Sequence, residues 1–85
     1  MNSDDLEHFR RTVLGFLAKR SACAFNAVSV HATVRRDIPC TEDEVEQCLI
    51  FLRSAGYLDE VPNKLGSRRY YQANAAGILS HERGE

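Results

Sequence analysis

The chain contains no tryptophan and no apolar run approaching the roughly 18 residues of a membrane span, so no membrane partner is expected. Its opening, MNSDDLEHFRR, is acidic and lacks the apolar core of a secretory signal, which points to a cytoplasmic protein. Cysteine is sparse. Cys23, Cys40 and Cys48 are odd in number and no pair has C-x-x-C spacing, so neither a disulfide framework nor a zinc or redox centre is indicated. His31, Cys40 and Cys48 do not have the spacing of a ligand set either, and no metal or other cofactor is expected. Catalytic signatures are missing as well: there is no G-x-S-x-G, no Gly-rich phosphate loop and no HExxH, and a non-enzyme is expected. An excess of positive charge is also lacking. Eleven Lys and Arg face twelve Asp and Glu, and the pI is about 6.3, whereas dedicated nucleic-acid binders usually exceed about 9. Any DNA contact must therefore come from basic residues segregated on one face.

What is present is the pattern of one small folded domain. Eighty-five residues leave room for a single core, and a 44% hydrophobic fraction with 27% charge is ordinary for a globular chain. Leu6, Phe9, Val13, Phe16 and Leu17 recur at helical spacing and predict a helix over about 4–20. Ser3 is its expected N-cap; Asp4, Asp5 and Glu7 suit its positive end, and Lys19 and Arg20 its negative end. After a small-residue connection with a brief extended piece at Ala24–Phe25, Asn26 is placed to cap a second helix over about 26–36. Val28, His31 and Val34 are expected on its apolar side. Pro39 interrupts the chain, and Thr41 with Glu44 three residues on forms a capping box that opens a third helix, about 41–55, stopped by Gly56. Two helices joined by DIPC make a helix-turn-helix.

Beyond Gly56 the period changes. YLDEVP and RRYYQAN flank the turn NKLGS, the signal of a β-hairpin over about 57–73. Asn74 is expected to cap a short last turn through Ser80, weakened by Gly77, before a frayed tail ending at residue 85. The expected architecture is mainly α (α+β): a winged helix, with three helices and a two-stranded wing.

VEQCLIFLRSAGYLDE resembles the recognition helix and first wing strand of bacterial winged-helix regulators. GSRRYYQANAAGILSHE is similar to the wing of the PadR-like and MarR-like families, with Arg68, Arg69, Tyr70, Tyr71 and Gly77 matching and Ala73–Asn74 standing where Leu-Thr is usual. The resemblance covers Thr41 to His81 and implies a winged helix-turn-helix that binds DNA in transcription regulation. Those families usually dimerise through a long helix after the wing; here only a few residues follow it, and the resemblance does not imply a homodimer.

At about 100° per residue, the third helix turns Val45, Cys48, Leu49, Leu52 and Ala55 inward, with Phe51 flanking them. Asp43, Glu46, Gln47, Ile50 and Ser54 are expected outward. A DNA reader places Arg, Lys, Asn, Gln or Ser there, and Gln47, Ser54 and the bordering Arg53 fit. The wing supplies Lys64, Arg68 and Arg69, suited to phosphates in a weak, salt-dependent complex with double-stranded DNA. Arg68 or Arg69 paired with Asp59 or Glu60 across the hairpin is the competing reading. Arg10, Arg11, Arg35 and Arg36 would widen the basic patch if the fold brought them round. The alternative function is protein interaction, with Asp43, Glu46, Gln47 and Ile50 facing a partner.

Overall fold

A computed structural model describes residues 2–61 and 69–84. Its elements run α1 (Ser3–Lys19), α2 (Ala27–Val34), α3 (Glu42–Ser54), β1 (Leu58–Val61), β2 (Tyr70–Ala73) and α4 (Ala75–Glu82). Helices α1, α2 and α3 enclose a core of Phe9, Val13, Leu17, Val30, Val34, Val45, Leu49 and Leu52. Burying each such side chain contributes about 1.5–3 kcal/mol. The strands form an antiparallel pair with Leu58 opposite Ala73 and Glu60 opposite Tyr71, which closes the bundle on one side.

The ends of the elements follow from local chemistry. The Thr41 hydroxyl accepts the Glu44 amide at 3.2 Å, and the Glu44 carboxylate accepts the Thr41 amide at 2.9 Å, completing the capping box. Gly56, at φ +91°, ends α3. Its own amide donates to the Arg53 carbonyl and the Tyr57 amide to the Leu52 carbonyl, both at 3.0 Å, the Schellman pattern that only a left-handed residue permits cheaply. Asn26 and Asn74 cap α2 and α4 by accepting the Ser29 and Gly77 amides at 2.9 Å.

The structure corrects several sequence-based expectations. Asn2, not Ser3, caps α1, its side chain accepting the Asp5 amide at 2.9 Å. Helix α2 turns Ala27, Val30 and Val34 to the core, while Val28 is 38% exposed. The stripe is rotated because Ala27 and Val34 lie two turns apart with Val30 between them. His31 is half-buried, its Nε2–H donating to the Cys40 carbonyl at 2.9 Å and closing the helix-turn-helix corner. The largest correction concerns the end of the chain. The helical turn expected through Ser80 runs two residues further, to Glu82, and packs on α1, with Ser80 buried and the His81 ring lying over Gly15.

Gly77 is the reason α4 docks. A Cβ there would collide with the Tyr57 carbonyl oxygen and approach the Leu14 side chain at 3.4 Å, so the residue read as a weakness is a contact point. Gly77→Ala is expected to destabilise the fold by about 1–3 kcal/mol through overpacking, a loss of roughly 4–8 °C in melting temperature per kcal/mol for a domain of this size. An unchanged thermal midpoint would show that α4 is not packed in this way.

Candidate nucleic-acid interface

Helix α3 begins with Glu42, Asp43 and Glu44 in its first turn, where carboxylates stabilise the helix dipole. Its outward line carries exposed Asp43, Gln47 and Ser54 with half-buried Ile50. Gln47 and Ser54 stand seven residues apart in sequence, which stacks them two turns apart on one side. Glu46 departs from the expected outward position. It is half-buried and turned to the hairpin, where its carboxylate accepts the Tyr71 hydroxyl at 3.3 Å. Arg53, also seven residues after Glu46, is exposed on that same flank. Phe51, expected beside the core, is instead 43% exposed on the opposite flank, beneath the Arg10 guanidinium.

The hairpin is fixed to the bundle from two directions. Phe25 and Tyr71 exchange backbone hydrogen bonds at 2.8 Å in both directions, so the extended piece expected at Ala24–Phe25 adds a bridge to β2. Gln72 Nε2 donates to the Ser21 carbonyl at 2.6 Å. On the other edge, Asn74 Nδ2 donates to the Gly56 carbonyl at 2.8 Å.

Of the three basic wing residues, Lys64 and Arg68 lie outside the described residues, and Arg69 is exposed. Arg69 Nε stands 3.7 Å from the Glu60 carboxylate, the pairing weighed as the alternative to phosphate binding. At that distance there is no hydrogen bond, and an exposed pair of this kind is worth little. Arg69 therefore remains accessible to another anion at small cost. Alternation along β2 puts Arg69 on the same face as Tyr71, with Glu46 and Glu60 as its acidic neighbours. Arg10 and Arg11 face α3 and α4 across α1, and Arg11 is held by Glu7 at 2.8 Å. Arg35 and Arg36 are exposed at the end of α2.

The Arg10–Phe51 stack has no counterpart in the sequence reading. Periodicity places Phe51 on the flank of α3, but which α1 side chain covers it is a property of helix packing. Among the described residues no group of His, Cys, Asp and Glu is arranged to hold a metal ion, and no helix is long and apolar enough to cross a membrane.

No family model matches the chain, and no curated relative does either. Solved structures do. A transcriptional regulator from Clostridium thermocellum superposes with a TM-score of 0.74 at 16% identity, covering 99% of this chain and 84% of its own. A structure of the DNA recognition and protein interaction domains of HOP2 superposes at 0.65 with 18% identity, covering 78% of this chain and 98% of its own. The fold is thus a winged helix, with four helices and a two-stranded antiparallel hairpin among the described residues.

Two groups in this region tie stability to pH. Burial pushes the Cys48 thiol from its ordinary 9.0 up to about 12, with Arg10 opposing and Cys40 adding a little. Burial, then the Glu46 carboxylate, also raises Tyr71. Both folded groups hold a proton that the unfolded chain releases, so stability is complete below about pH 9 and falls as pH climbs towards 12. Cys48 alone should cost about 1 kcal/mol at pH 10, and Cys48→Ala should make the decline shallower. Urea midpoints that stay flat from pH 8 to about pH 11 would contradict this.

Proposed function

We propose that the chain is a small winged-helix module that binds double-stranded DNA, as a transcriptional regulator or accessory DNA-binding protein. Lys64, Arg68 and Arg69 of the wing hold phosphates, and Gln47, Ser54 and Arg53 lie near the bases. The observation that carries the reading is the docking of the hairpin beside α3: Tyr71 anchors β2 to Glu46, on the flank where Arg53 is exposed. The two strands of the wing thus adjoin α3. Gln47 and Ser54 are types that bond base edges or phosphates. The winged-helix fold shared with a transcriptional regulator and with HOP2, whose structure is described in terms of DNA recognition, supports the same reading. So does the resemblance of Thr41 to His81 to PadR-like and MarR-like regulators.

The carboxylates at the start of α3 shape the mode of contact. Asp43 is exposed where a recognition helix would approach the backbone, and the balance of the chain is −1. Binding is therefore weak and led by the wing. A second reading rests on the same acids: Asp43, Gln47 and Ile50 form an acidic, partly apolar face suited to a protein partner, with Glu46 already engaged by Tyr71.

Fluorescence anisotropy with a mixed-sequence duplex separates the two. Two or three phosphate contacts predict a slope of log affinity against log salt of about −2 to −3, and loss of binding in an Arg68→Ala/Arg69→Ala variant that melts normally. Absence of binding at about 50 mM salt would rule the DNA reading out. Under the second reading, Ile50→Asp leaves the fold intact and abolishes capture of the protein partner, and a variant that still captures it would rule that reading out.

A further inference from the structure

We propose that the groove between α1 and α3 docks an amphipathic helix of a partner protein, one bearing a carboxylate between two apolar side chains seven residues apart. Two depressions of about 320 and 310 Å³ lie end to end along this groove. Leu6, Phe9, Gln47 and Cys48 line the first, and Leu14, Phe51, Leu52, Ala55 and Tyr57 the second. Arg10 borders both. Its guanidinium carbon sits 3.6 Å from the Phe51 ring centroid, so the stacked pair forms a ridge between them.

Spacing and charge define the occupant. The α3 residues lining the two depressions are Asp43, Glu44, Gln47 and Cys48 in one and Phe51, Leu52 and Ala55 in the other. Their centres are about seven residues apart, roughly 10 Å at 1.5 Å per residue. That is the distance between positions i and i+7 on a helix laid along the groove. Arg10 stands at the midpoint. Its side chain is half-buried over the Phe51 ring, and a carboxylate laid against the solvent-facing part of this partly desolvated guanidinium forms a charge-assisted pair. Glu7, the nearby acid on α1, is already engaged by Arg11 at 2.8 Å. A carboxylate at i+3 or i+4 of the ligand meets Arg10, and a basic residue suits the end beside exposed Asp43. A second copy of the chain fits poorly. Among the described residues its exposed large apolar helix positions are Phe51, which lies in the groove itself, Val28, followed seven residues on by Arg35, and Leu79, preceded at that distance by the strand residue Gln72.

The groove lies on the Phe51 flank of α3, away from the wing, and shares Gln47 with the proposed DNA surface, so the two are told apart at Arg10 and not at Gln47. The test uses a fluorescently labelled, side-chain-stapled helix of about 16 residues, long enough to span several turns. It carries Leu at i and i+7, Glu at i+4, and Lys beyond one Leu. The expected result is saturable binding weakened at least tenfold when the peptide Glu is replaced by Lys. Arg10→Glu should weaken the Glu peptide at least tenfold and recover the Lys peptide, while leaving duplex binding at low salt unchanged. If Arg10→Glu does not fold, Arg10→Met keeps the packing over Phe51 and should abolish the preference for Glu over Lys. Equal binding of the two peptides, no saturation at millimolar peptide, or dimerisation of the chain lost in an Arg10 variant would each overturn the proposal.

Discussion

The structure depends on Tyr71. This side chain is fully buried, and its backbone sits between two partners, with Glu60 on one edge of the sheet and Phe25 on the other. Its hydroxyl reaches the Glu46 carboxylate. One residue thus joins the connection after α1, the wing and the flank of α3. A two-stranded hairpin alone is marginal in water. Held by Tyr71, with Leu58 and Ala73 buried beneath it, it becomes part of the core, and the position of the wing relative to α3 follows.

That linkage organises the charge. With near balance over the whole chain, the location of each group decides what the surface can attract. The acids at the start of α3 act first as helix-forming groups: Glu44 closes the capping box, and Glu42 and Asp43 sit at the positive end of the dipole. They also disfavour phosphate at that end, by about 1 kcal/mol for a charge pair 4 Å apart in water. Glu46 is drawn away from the outward surface by Tyr71, leaving Gln47 and Ser54 facing solvent without it. The two flanks of α3 therefore differ, one joined to the wing and the other carrying the Arg10 guanidinium over the exposed Phe51 ring.

Much of the fold was legible because its signals are local. The capping box at Thr41 and Glu44, the caps at Asn26 and Asn74 and the glycine stop at Gly56 each act within a few residues, and all are observed. What was not legible depends on packing between distant segments. The face of α2 was rotated, because β-branched residues occupy both of its sides and only contact with α3 selects Val30 over Val28. Gly77 read as a poor helix former, whereas its missing side chain is what admits the Tyr57 carbonyl. In the candidate site, Gln47, Arg53 and Ser54 are exposed as expected. The turn of Glu46 towards Tyr71 and the stacking of Arg10 on Phe51 were not readable, since each joins residues far apart in the chain.

The claim on which the account rests is that the wing is docked, not hinged, and native-state amide exchange measures this directly. The Phe25 and Tyr71 amides, which donate to each other's carbonyls at 2.8 Å, should open only with the whole molecule, with the same free energy and urea dependence as the most protected core amides of α3. If these two amides exchanged through a local opening several kcal/mol cheaper than global unfolding, the hairpin would be a loosely attached arm and the shared surface with α3 would not exist.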